Sequence, residues 1–198
     1  GNILGTQQSG HIAAVGYETY RKLLAQAVAR LRNEQKSQEK SGETIADVSL
    51  GVQAAVSPLY ITEEEARMEV LRDFDALRTP QEVNAILASL KDRFGPAPEE
   101  TQRLAQLFFL KHRLGALGLS RVQRIEGHLL CKLTDAKKLT RALAPHQIDL
   151  RILTPRQAHW ILPNPKEDAK SVLQYLFKVA SSCRLPRTKR KSTSTSAP

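Results

Sequence analysis

Aromatic residues make up only 5% of this 198-residue chain, and it has two cysteines. The first scarcity leaves little for the base stacking on which single-strand nucleic-acid binders rely. Cys131 and Cys183 are too few and too far apart for a disulfide framework, and neither has a CxxC partner. The histidines His11, His112, His128, His146 and His159 never fall at the short spacings of a zinc site, so no metal is expected. No apolar run reaches the ~18 residues of a membrane span, so no membrane is expected as a partner and a reducing cytoplasm is the expected setting. Also missing is the GxxxxGK[ST] loop that cradles nucleotide phosphates, together with an acidic pair suited to magnesium and a GxSxG elbow. The chain on its own therefore reads as non-enzymatic, with no catalytic residues and no cofactor.

What is present can bury one main core and a small appendage, since 41% of the residues are hydrophobic. Lys+Arg at 30 against Asp+Glu at 20 gives a formal charge of +10, which favours polyanionic partners. Arg184, Arg187, Lys189, Arg190 and Lys191 follow one another with no acid among them, so residues 184–198 read as a disordered basic tail. Within it Arg187, Lys189, Arg190 and Lys191 are candidate DNA contacts, whose affinity would fall steeply with salt.

Apolar residues from Ile12 to Leu31 recur at near-helical spacing and predict a long amphipathic helix over residues 11–32. Residues 33–44 are charged and polar, which marks a linker ahead of a separate unit over residues 45–183. Residues 45–57 mix β-branched and small residues and predict an edge strand ending at Pro58. Thr62 is placed to cap a helix over 63–77. Thr79-Pro80-Gln81-Glu82 forms a capping box with proline at the first helical position, and this second helix ends at Phe94, with Gly95 as a left-handed cap and Pro96 barring continuation. A third helix, 98–114, turns Leu104, Leu107, Phe108 and Leu110 inward. The period then shifts towards two: a hairpin around Glu126-Gly127-His128, a short helix capped by Asp135, strands at 148–153 and 159–162, and a helix over 167–180. The fold class is α+β: a three-helix N-terminal part followed by a small mixed sheet with packed helices, preceded by the long amphipathic helix.

The first residues, GNILGTQQSG, carry no start methionine or secretion signal, and the chain is expected to open inside a larger protein. Gly5 and Gly10 suit unusual φ values and Ser9 suits an N-cap, while Gln7 and Gln8 offer uncharged donors and acceptors for phosphates. The acids Glu63, Glu64 and Glu65 are accounted for by the helix dipole.

The run from Gly1 to Ile12 resembles the segment after the last helicase motif in the bacterial transcription-repair coupling factor (Mfd) family, and RecG translocases have a similar GxxQSG stretch. From about Asp47 to Ser181 the sequence resembles the C-terminal domain of the same family, through Pro58, Tyr60 and Ile61 and most specifically through Asp92-Arg93-Phe94-Gly95-Pro96. The resemblance implies that residues 1–32 are a remnant of the motor, with Gly5, Gln7, Gln8, Ser9 and Gly10 in a translocation-motif loop that contacts DNA or couples motion, and that residues 45–183 are a regulatory domain. It implies a parent that uses ATP and magnesium to translocate on double-stranded DNA, releases stalled RNA polymerase and recruits excision repair. In the family this domain clamps an amino-terminal UvrB-like domain and so masks the surface that UvrA binds. The motif residues Asp92 to Pro96 are expected to determine the fold rather than form a site. A stand-alone basic nucleic-acid-binding module, using Arg121, Arg124 and the tail, is the alternative. An enzyme built on His128 or His159 has no spacing in its favour.

Overall fold

The computed structural model describes residues 44–185. In chain order these form β1 (Asp47–Ser49), α1 (Glu64–Asp75), α2 (Pro80–Phe94), α3 (Glu99–Ala116), β2 (Leu119–Ile125), β3 (His128–Leu133), α4 (Ala136–Leu143) running into a 3-10 turn (Ala144–His146), β4 (Leu150–Thr154), β5 (Gln157–Ile161) and α5 (Ala169–Ser182). The α+β class and the order of three helices, then a sheet with further helices, are as the patterning predicts. The N-terminal helix, the loop Gly5 to Gly10 and the tail cations Arg187, Lys189, Arg190 and Lys191 lie outside the described residues.

Helix α3 is the axle of the fold. Inward-facing positions were expected at Leu104, Leu107, Phe108 and Leu110, but Thr101, Ala105, Phe109, Lys111, His112, Leu114 and Gly115 are buried as well. A helix buried on this many sides needs cover beyond a single partner, and α3 touches α1, α2, α5, β1 and β2. The five strands order as β1-β2-β3-β5-β4, with β1 parallel to β2 and the other pairs antiparallel. Val48, Val122, Leu129, Cys131, Ala158 and Trp160 point to the helical layer and are buried, whereas Arg121, Gln123, Lys132 and His159 alternate to the opposite face.

Several local expectations are corrected by geometry. The predicted edge strand over 45–57 is a strand only at Asp47–Ser49, because Gly51 takes a φ of +74° and turns the chain away. Thr62 does not cap α1; Glu63 occupies the N-cap without a side-chain bond, while the carbonyls of Ile61 and Thr62 accept from the Arg67 guanidinium at 2.8 and 2.7 Å. The hairpin loop is Glu126-Gly127 alone, with His128 already in β3, because Gly127 at φ +77° supplies the tight turn. The last helix begins at Ala169 behind Asp168, whose carboxylate accepts from the Ser171 N–H at 2.8 Å. The capping box forms as the sequence indicates: Thr79 Oγ1 accepts from the Glu82 N–H at 3.2 Å, and Glu82 Oε2 accepts from the Thr79 N–H at 3.0 Å.

Candidate functional site

The DRFGP run and the earlier Pro58-Leu59-Tyr60-Ile61 step meet in space. Gly95 ends α2 with φ +84° and ψ −178°, a conformation beyond the left-handed helical region and open essentially to glycine alone. Its carbonyl accepts a hydrogen bond from the Tyr60 hydroxyl at 2.8 Å. The Tyr60 ring packs edge-on against Phe94 with centroids 6.2 Å apart, and the Arg93 guanidinium lies 4.9 Å from the Phe94 ring centroid. Arg93 also pairs with Glu69 of α1 at 3.2 Å. Arg93, Phe94 and Gly95 are thus engaged in joining α1 and α2 to the Tyr60 loop, and Pro96 stands just past the helix end. Asp92 is the exception: it is exposed, and no hydrogen bond or ion pair engages its side chain among the described residues. A groove beside this corner is lined by Glu63, Glu64, Glu65, Glu69, Arg72 and Arg93 among others.

A second cluster was not visible in the sequence. At the end of α1 Asp75 accepts from Lys111 Nζ at 2.9 Å and lies 3.3 Å from His112 Nε2, both on α3. The lysine and histidine side chains are 9% and 2% exposed. The hydrogen bond from His112 and then the Lys111 ammonium, working against desolvation, hold the Asp75 carboxyl down at about 2 against an ordinary 3.8. Lys111 Nζ also lies 5.1 Å from the Phe108 ring centroid. The cluster is a bolt between α1 and α3.

Arg121, Arg124, His128 and His159 all lie on strands of the sheet. Arg121 lies 3.7 Å from Asp47, and Arg124 donates to the Glu167 carbonyl at 2.7 Å, so both are tied into the fold. His128 and His159 do meet, with ring centroids 4.2 Å apart across β3 and β5, and His128 Nδ1 lies 3.1 Å from the Glu126 carbonyl. Burial pushes the Cys131 thiol up to about 12, which removes it as a nucleophile. Among the described residues no group of three or more His, Cys, Asp and Glu side chains is placed to hold a metal, and no helix is long and apolar enough to cross a membrane.

The architecture is therefore that of an α+β domain in which the DRFGP run joins α1, α2 and the Tyr60 loop. Residues 50–143 match the family model of the TRCF domain. The chain is 31% identical over 159 residues to a transcription-repair-coupling factor of Helicobacter pylori, covering 80% of this chain and 15% of that protein. It is 36% identical over 111 residues to the Myxococcus xanthus factor, covering 56% of this chain and 9% of that protein. The crystal structure of the C-terminal domain of transcription-repair coupling factor superposes with a TM-score of 0.57 at 18% identity, over 71% of this chain and 92% of that one, which shows the shared fold. Through its TRCF domain the chain belongs to the transcription-repair coupling factor family. It spans about 15% of the length of the Helicobacter relative.

Proposed function

We propose that this chain is the C-terminal part of a DNA-dependent, ATP-driven translocase that releases stalled RNA polymerase at DNA lesions and recruits nucleotide excision repair, and that its TRCF domain is the regulatory clamp of that machine. ATP and magnesium belong to the motor lobes of the parent, with double-stranded DNA and the polymerase as their partners. Residues 1–32 contribute the end of the translocation motif, in which Gln8 touches DNA or relays motion. The clamp closes on the parent's UvrB-like domain and hides the face that UvrA recognises.

The observation that carries the clamp reading is the division of labour within Asp92-Arg93-Phe94-Gly95. Three of these residues brace the corner between α1 and α2, which makes it rigid, and Asp92 is left exposed at its surface. A carboxylate on a rigid polar corner, next to a groove lined by Glu63, Glu64, Glu65 and Arg72, suits a reversible charged contact. Such a contact is weak enough to open for a few kcal/mol when the motor engages.

Calorimetry between the full chain and a separately expressed UvrB-like domain tests this, with UvrA as competitor. Micromolar binding that UvrA displaces, and that Asp92→Arg weakens about tenfold without changing the melting temperature, is the expected result. Failure of the two domains to associate at 100 µM rules out the clamp.

A further inference from the structure

A groove of about 900 Å³ runs between α4 with its 3-10 turn and the C-terminal end of α5, and its walls carry Asp135, Lys137, Lys138, Arg141, His146 and Arg184. Among the described residues Arg93, Arg103, Lys111, Arg121, Arg151 and Lys170 each pair with an acid, whereas Arg72, Lys91, Lys132, Arg156, Lys166 and Lys178 do not, so what sets this groove apart is four cations gathered around one carboxylate. The lysines and arginines of this groove have no such partner among the described residues. Its single carboxylate, Asp135, is occupied as the N-cap of α4, where it accepts from the Lys138 N–H at 2.9 Å.

Helix stability does not account for these cations. Lys137 and Lys138 stand in the first turn of α4, at the positive end of the helix dipole, with no acid in that turn to offset them. Burial of Leu139 and Leu143 fixes the orientation of α4, leaving Lys137 and Arg141 exposed and Lys138 half-buried. The other wall is held equally firmly, since the Arg113 guanidinium of α3 donates to the Ala180 and Cys183 carbonyls at the end of α5.

We propose that this groove binds the phosphate backbone of duplex DNA. A fixed channel of unpaired cations is the electrostatic footprint of a polyanion site. No Phe, Tyr or Trp side chain lines the groove, so the broad stacking platform that a single strand needs is missing, and contacts made by lysine and arginine to phosphate carry no base readout. This inference uses residues separate from those of the clamp, and either can fail alone.

Fluorescence anisotropy of the full chain with a labelled, random-sequence 20-base-pair DNA duplex between 50 and 200 mM salt is the test. We compare the wild type, the groove variant K137Q/K138Q/R141Q/R184Q and the tail variant R187Q/K189Q/R190Q/K191Q. The wild type is expected to bind with a Kd of about 10⁻⁶ to 10⁻⁵ M at low salt, within the range of non-specific binders. The groove variant should lose at least tenfold in affinity, and its dependence of log K on log salt should be shallower by about 3.6, at ~0.9 for each of four lost phosphate contacts. Lys137→Gln alone, at an exposed position, should flatten the slope by about 1 and leave the melting temperature unchanged. Wild-type affinity and slope in the groove variant, with binding abolished only in the tail variant, would overturn the assignment. Tighter binding of a duplex RNA or of polyglutamate than of duplex DNA would do the same.

Discussion

Replacing Asp75 with Asn should expose how much of the fold rests on the bolt between α1 and α3. A carboxyl held at about 2 rather than 3.8 corresponds to roughly 2 kcal/mol of stabilisation at neutral pH, by the conversion of ~1.4 kcal/mol for each tenfold change. The Asp75 side chain is 30% exposed, so solvent screening trims this to roughly 1–2 kcal/mol. Removing the charge also leaves the Lys111 ammonium, whose side chain is only 9% exposed, without its counter-ion, and breaking such pairs typically costs about 3–5 kcal/mol. The partial exposure of Asp75 places the expected loss between these limits, at roughly 2–4 kcal/mol. Urea unfolding followed by the fluorescence of Trp160, the one tryptophan and fully buried, reads it directly. The sign with pH is fixed. The depressed carboxyl contributes in full above its unfolded value near 4, and its contribution disappears as pH falls towards 2. The wild-type advantage over Asp75→Asn should therefore be largest at pH 7 and close between pH 4 and 2. A second substitution, Lys111→Met, should restore part of the loss by removing the stranded charge. A wild-type advantage below 0.5 kcal/mol at pH 7, or one that persists unchanged at pH 2, would refute the reasoning.

Two further substitutions probe the frame around the DRFGP corner and the start of the sheet. Gly115→Ala puts a Cβ 1.8 Å from the Thr44 carbonyl oxygen and 2.6 Å from its carbon, both backbone atoms, so the segment leading into β1 must lift off α3. Hydrogen exchange at Ala46, whose N–H donates to the Lys111 carbonyl at 2.9 Å, should accelerate at least tenfold while the amides of β3 stay protected. Tyr60→Phe removes the donor to the Gly95 carbonyl and should cost about 1 kcal/mol in urea unfolding, with the aromatic packing on Phe94 retained.

What could be read from the sequence was set by local chemistry. The capping box of Thr79 and Glu82 spans three residues, and both of its bonds are fixed once that turn forms. Asp135 caps its helix by the same short-range logic, whereas the patterning misses the Asp168 cap and predicts a last helix beginning at 167. Gly95 illustrates a partial reading: a glycine at a helix end signals positive φ and the proline after it favours an extended ψ, but the Tyr60 hydroxyl that donates to its carbonyl comes from 35 residues away and has no local signal. Thr62 failed as a cap because Arg67 claims the Ile61 and Thr62 carbonyls, and Glu63 takes the N-cap position. Long-range pairings left no trace in the periodicity. The parallel register of Val48 on Val122 joins residues far apart in the chain, and Asp75 meets Lys111 across two helices. The basic groove is a similar case, since Arg184 joins Lys137 and Arg141 only after the sheet has brought the end of α5 back to α4.

The placement of β1 has a mechanical consequence. It is the point at which the preceding sequence joins the described fold, and it lies at the sheet edge, parallel to β2 through Asp47–Arg121, Val48–Val122 and Ser49–Gln123. A tug along the axis of this strand loads those pairings together in shear instead of peeling them one by one, and the clasp of Ala46 on the Lys111 carbonyl shares the load. Force arriving along the chain would thus reach the central helix before it could unravel the sheet, and the domain would move as a solid handle.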